Sequence, residues 1–248
     1  MKRIICVLCL LCCGVARAEQ INLRWLNYDG TIYQNSTCEI DGDLNLPITP
    51  PTRYGYTFTG WELLPFTRLE YIENTEEQYI NTGLTVDYGD IAVTAVFMPV
   101  SWAYDHEYSC IFGVNKHFQA GYNIGGTANI GNASSARKFF ALDKKVVINA
   151  VLSPNIPQTY YVDNVSTGLS RSFGYAETLI LFDSTYVNSY PARGRLYSFS
   201  AFRDDEIIMD LIPVLDKEGV PCMYDKIENK YYYNQGTGQF IAGPVLND

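Results

Sequence analysis

The chain predicts an all-β protein built as an antiparallel sandwich, and three observations carry that expectation. Segments 91–97, 146–152, 159–165, 177–182, 196–202 and 206–212 are rich in β-branched or aromatic residues and are separated by Gly, Pro, Asn or Asp. Short strands at regular spacing with turn chemistry between them point to a sandwich or barrel. No window sustains apolar residues at i, i+3, i+4 and i+7, so helices are at most short. With 20 tyrosines, an aromatic share of 14% and a charged share of only 18%, the composition suits a packed core rather than disorder.

The first element is a leader. Lys2 and Arg3 precede an apolar run from Ile4 to Val15 and the small-residue site Ala16-Arg17-Ala18. This order of charge, apolar stretch and small residues is that of a secretory signal peptide cut after Ala18. The run is shorter than the roughly 20 apolar residues a spanning helix needs, and no second such stretch follows, so the mature chain is expected to lack a membrane span. Export places the protein in the cell envelope or outside the cell. Cys6, Cys9, Cys12 and Cys13 leave with the leader, and Cys38, Cys110 and Cys222 remain. Three thiols are too few for a disulfide scaffold, but an oxidising compartment permits one bridge, with Cys110 and Cys222 as the candidate pair and three buried thiols as the alternative. The formal charge of −9 becomes −12 without the leader, since its three basic residues leave 15 against 27 acidic ones. Nucleic acid is therefore not an expected partner.

Residues 19–66 form the next block. Ile21, Leu23 and Trp25 alternate with polar residues, and Asp29-Gly30 supplies a turn before Thr31-Ile32-Tyr33. Pro47, Pro50 and Pro51 block helix, and Tyr56 and Phe58 fit one more strand. Tyr28 to Gly30, Pro51, Thr52, Gly55, Tyr56, Phe58, Gly60 and Trp61 resemble the internalin-type B-repeat, also called the Listeria-Bacteroides repeat. That resemblance implies a small β-grasp-like module of secreted and surface proteins.

From residue 67 to 246 the pieces run in the order LEYIENTEEQYINTG (69–83), the hairpin TYYVDNVSTG (159–168), the strand after Gly194, and YDKIENKYYYNQGTGQF (224–240). This order resembles the concanavalin A-like, laminin G-like sandwich of secreted bacterial proteins. The resemblance implies a lectin-like fold whose shared motifs are structural, so activity has to be argued from a site.

The candidate catalytic sets fall short. Retaining glycosidases on such sandwiches need closely placed carboxylates, and Glu39, Asp41 and Asp43 end in the wrong acid with Gly42 weakening the strand. Asp41 to Asn45 start like a calcium loop but place Leu46 and Thr52 where Gly and a bidentate Glu belong. No cofactor is expected, with calcium at a sandwich edge kept as the alternative. His106 and His117, the only histidines, supply neither a zinc set nor a base beside a Gly-x-Ser-x-Gly turn.

What remains is aromatic loops with hydrogen-bonding neighbours. Trp102, Tyr104, Asp105 and His106 lie between two strands, Phe118, Gln119, Tyr122 and Asn123 follow His117 in a Gly-rich stretch, and Tyr186, Asn188 and Tyr190 form a third group. Sugars bind by stacking C–H groups on aromatic rings while amides and carboxylates take the hydroxyls. The expected site is therefore Trp102, Tyr104, Asp105, His106, Tyr122 and Asn123, on loops of a rigid frame. The expected function is non-catalytic recognition of a glycan or another cell-surface ligand. A structural or protein-interaction role in a surface assembly, and a divergent glycoside hydrolase, are the alternatives.

Overall fold

A computed structural model gives the protein's fold, and it describes residues 2–11, 20–27, 32–39, 46–63, 66–75, 77–86, 90–102, 108–115, 118–130, 133–153, 158–172, 177–184 and 190–246. All regular elements among these residues are strands. The chain divides into two compact units, one running up to Thr67 and the other from Arg68 to Leu246.

In the first unit β1 (Lys2–Leu11), β2 (Gln20–Leu26), β3 (Ile32–Glu39) and β4 (Tyr56–Leu63) form a four-stranded sheet ordered β3-β2-β1-β4. β2 and β3 make the expected hairpin, with Trp25 opposite Gln34 and Ile21 opposite Cys38. β1, the apolar stretch read as a leader, pairs antiparallel with β2 and parallel with β4. An unbroken apolar run suits a buried strand as well as an export segment, because periodicity alone does not separate them. Leu23, Trp25 and Cys38 form a small core with Tyr33 against it. Trp25 donates its indole N–H to Ser36 Oγ at 2.9 Å, which satisfies its one polar atom inside. Asp29, Gly30, Asp41, Asp43 and the cleavage residues Ala16 and Ala18 lie outside the described residues.

β5 (Phe66–Arg68) spans the division between the units. The second unit continues with β6 (Ile72–Asn74), β7 (Ile80–Val86), β8 (Ile91–Pro99), β9 (Tyr108–Asn115), β10 (Phe118–Asn123), β11 (Thr127–Ile130) and β12 (Ala133–Lys138). It ends with β13 (Val146–Leu152), β14 (Gln158–Val162), β15 (Val165–Arg171), β16 (Glu177–Leu181), β17 (Gly194–Arg203), β18 (Glu206–Asp216), β19 (Pro221–Asp225), β20 (Lys230–Tyr232) and β21 (Ile241–Ala242). Two sheets result. One is six-stranded, β12-β11-β10-β9-β16-β7, and the other follows β15-β14-β13-β8-β17-β18-β19-β20, with β6 on β17 and β21 on β6. Every strand pairing recorded in both sheets is antiparallel, so this unit is an antiparallel β-sandwich.

Alternation of side chains builds the interior. On β8, Ile91, Val93, Ala95 and Phe97 are buried, and the register sets Ala95 between Ile148 of β13 and Phe199 of β17. Rings from opposite sheets then meet edge to face: Phe112 of β9 and Phe199 of β17 have centroids 6.1 Å apart. β15 lies against β11 and β12 at one margin of the sandwich and β20 against β7 at the other, which covers sheet edges that would otherwise invite pairing.

Two tight turns are made without glycine. Val162 pairs with Val165 across Asp163-Asn164, and Arg203 pairs with Glu206 across Asp204-Asp205. All four turn residues have φ between 50° and 62°, the left-handed pair a two-residue hairpin needs, which Asp and Asn tolerate better than other side chains.

The sequence pieces that open and close the sandwich interlock. Asn234 Oδ1 accepts from the Tyr79 and Gly236 N–H groups, and its Nδ2 donates to the Gly238 carbonyl at 2.9 Å. Gln78 Nε2 donates to the Thr237 carbonyl at 3.0 Å, while Gly236 lies so close to the Glu77 carbonyl that a Cβ there would sit 1.7 Å from its oxygen.

Of the two readings of the cysteines, the buried thiols are found and the candidate Cys110–Cys222 bridge is not formed. Cys110 and Cys222 are buried, form no disulfide and stand on strands of different sheets, β9 and β19. Cys110 Sγ instead donates to the Asp183 carbonyl at 3.2 Å.

Candidate functional site

The stretch 118–123, expected as a Gly-rich loop, is strand β10. It was hidden from a periodicity reading because both faces are buried, so no alternation of apolar and polar types marks it. Phe118, Ala120 and Tyr122 point into the core, with Ala128 and Ile130 of β11 beside them. Gln119, Gly121 and Asn123 therefore take the outward face, and register extends that face across the sheet. Asn129 of β11 and Cys110 of β9 stand opposite Gly121, Ser134 of β12 opposite Asn129, and Lys138 opposite Thr127.

This outward row has a closed end and an open end. At the closed end Gln119 is 1% exposed and donates from Nε2 to Ser184 Oγ at 2.7 Å. Gly113 permits that closure, since a Cβ there would lie 2.7 Å from Ser184 Cβ. At the open end Asn123 Nδ2 donates to the exposed Ser134 Oγ at 2.6 Å, and Ile124 in the following turn is 57% exposed.

Asn129 sits between. It is 1% exposed, and among the described residues neither its Oδ1 nor its Nδ2 has a hydrogen-bond partner. Leaving a buried polar group unpaired costs about 1–3 kcal/mol, so such groups in folded proteins call for a partner. A carboxamide offers two donors and an acceptor, which matches a ligand rich in hydroxyl or amide groups.

The residues expected from sequence are placed differently. Tyr122 is a core residue and corrects that expectation: it is 1% exposed, its ring meets Phe97, Trp102 and Phe140, and its hydroxyl donates to the Arg193 carbonyl at 3.0 Å. Burial raises its phenol well above the usual value, against smaller opposing effects of Ser109 and Arg193. It cannot offer a stacking surface to a ligand. Trp102 is half-buried, edge-on to Tyr122 at 5.7 Å between centroids, and flanks the β10–β11 turn. Gly126 makes room for it: a Cβ there would lie 3.4 Å from Trp102 Cη2 and 2.0 Å from the Phe140 carbonyl oxygen. Asn123, expected in a loop, ends strand β10 and is half-buried. Tyr104, Asp105, His106, His117, Tyr186 and Asn188 lie outside the described residues. Of the six expected residues, the structure thus brings Trp102 and Asn123 to the two sides of one turn.

Sequence reasoning missed Asn129 and Ser134. Neither stands beside an aromatic residue in the chain, and only strand register carries them next to Asn123. No group of three or more His, Cys, Asp or Glu residues able to hold a metal ion occurs among the described residues.

No family model matches the chain, and no curated protein matches it. Among solved structures, it is similar to a protein of Bacteroides ovatus ATCC 8483 proposed there to bind carbohydrate, with a TM-score of 0.47 and 9% identity. That similarity covers 92% of this chain and 69% of the other.

Proposed function

We propose that this is an exported, non-catalytic carbohydrate-binding protein whose second unit is a concanavalin A-like, laminin G-like sandwich. The ligand is held on the outward face of β10–β12. The observation that carries the reading is Asn129: a buried carboxamide, unpartnered among the described residues, continues the Asn123–Ser134 pair. Hydroxyl groups of a saccharide supply what that amide lacks.

The test is glycan-array binding by the protein and by Asn129→Ala. Truncation removes an interaction made only with ligand, so binding falls about two- to tenfold, the worth of one hydrogen bond. The same change removes an unsatisfied amide, so the melting temperature holds or rises, as expected where stability has been given up for function. Unchanged array binding with a lowered melting temperature makes Asn129 a packing residue and removes the site. Release of reducing sugar from any hit points to a hydrolase instead.

A further inference from the structure

Basic charge is unevenly placed on this acidic chain. Net charge is −9, yet Arg137, Lys138, Lys144 and Lys145 fall within one short stretch. Lys145 is committed, its Nζ lying 3.5 Å from Glu70 Oε1 and 3.6 Å from the centre of the Tyr197 ring. Arg137 lies over the Phe139 ring at 5.4 Å, and both Arg137 and Lys138 are exposed. Among the described residues neither makes an ion pair. Lys138 stands opposite Thr127, two positions along β11 from Asn129, so it shares the outward face of the row.

We propose that the site takes an acidic saccharide, with Lys138 meeting a carboxylate or sulfate while Asn123, Asn129 and Ser134 bond the hydroxyls. This rests on the carbohydrate reading and adds the ligand's charge to it. A neutral sugar gains nothing from a cation at the margin of its site. An acidic one is drawn to the exposed Arg137-Lys138 pair on an acidic chain, and the orphaned Asn129 amide provides the second, independent demand for a ligand at the same place.

The experiment is an array of neutral, uronic-acid-bearing and sulfated saccharides probed with the full chain, Lys138→Gln, Lys138→Arg and Asn129→Ala. Hits confined to acidic saccharides are expected, and uronic-acid hits against sulfated hits tell the two anions apart. Lys138→Gln weakens these hits about fivefold, the worth of a partly exposed ion pair, and Lys138→Arg restores most of it. High salt weakens the native protein's binding, because screening then acts within about 3 Å. Neutral hits that are lost in Asn129→Ala and untouched by Lys138→Gln overturn the acidic ligand and leave the carbohydrate reading standing. A silent array overturns both.

Discussion

Asp216, at the end of β18, shows how one buried acid is used structurally. Burial pushes its carboxyl up, but the Val220 N–H at 2.8 Å, the Tyr233 hydroxyl at 2.9 Å and the Glu218 N–H at 3.0 Å outweigh it and hold the group below the usual carboxylate range. A carboxylate depressed in the folded state favours folding above its unfolded pKa of roughly 3.9. That contribution is lost as pH falls through the lower folded value. Asp216→Asn should therefore be less stable near neutrality by about 1–2 kcal/mol and should show a shallower loss of stability in acid, read from urea midpoints across that range. An acid limb as steep as the native one would show that Asp216 is not a titrating contributor. Nearby Cys222 has its thiol pushed up to about 12, by burial first and by Asp216 second. With Cys38 and Cys110 also buried and outside any disulfide, none of these three thiols should react with a disulfide reagent at mildly alkaline pH until denaturant is added. A fast native reaction, or a mass two hydrogens short, would contradict the assignment of three reduced thiols.

At the scale of elements, the strands written in β-branched and aromatic residues were legible, and the ones written in small and amide residues were not. Val146–Leu152 and Glu177–Leu181 announce themselves by composition, and Thr159–Gly168 by its Asp-Asn turn. β10 read as a Gly-rich loop, when its Gly121 answers a tertiary demand. A Cβ at Gly121 would meet the Ser109 carbonyl oxygen at 1.7 Å, so glycine is there to let β9 approach. The candidate site was half legible for the same reason: Trp102 and Asn123 carry aromatic and amide signals in the chain, whereas Asn129 and Ser134 join them only through register. The loop interlock was visible as two motifs but not as a contact, since Asn234 and Tyr79 are 155 positions apart. Asn234→Ala strips the Tyr79 and Gly236 N–H groups of their acceptor and should cost about 1–3 kcal/mol of stability, measured by thermal melting. The Asp204-Asp205 hairpin offers the opposite test, because a side chain held left-handed costs roughly 1–2 kcal/mol against glycine. Asp205, at φ 61°, replaced by glycine should raise the melting temperature; a fall would mean its carboxylate contributes more than its backbone costs.

For the whole molecule, the two units hold separate buried clusters. The large interior cluster, from Leu69 to Phe240, is drawn entirely from residues after Arg68, and among the described residues of the first unit Leu23, Trp25 and Cys38 cluster together. On the proposed reading of an exported protein, a cut after Ala18 would remove β1, the strand that joins β2 to β4 in the first sheet. The sandwich loses nothing by that cut: its strands from β6 onward pair among themselves, and its opening and closing segments are tied together by Gln78 and Asn234. A chain spanning residues 68–248 should therefore fold alone and melt in one transition close to the main transition of the protein lacking residues 1–18. Limited proteolysis of that longer form should stop at a fragment starting near Arg68 and should leave array binding intact, since Asn123, Asn129, Ser134 and Lys138 all lie inside it. A fragment that fails to fold, or folds and no longer binds the saccharides the longer protein does, would mean that the first unit completes the core or the site.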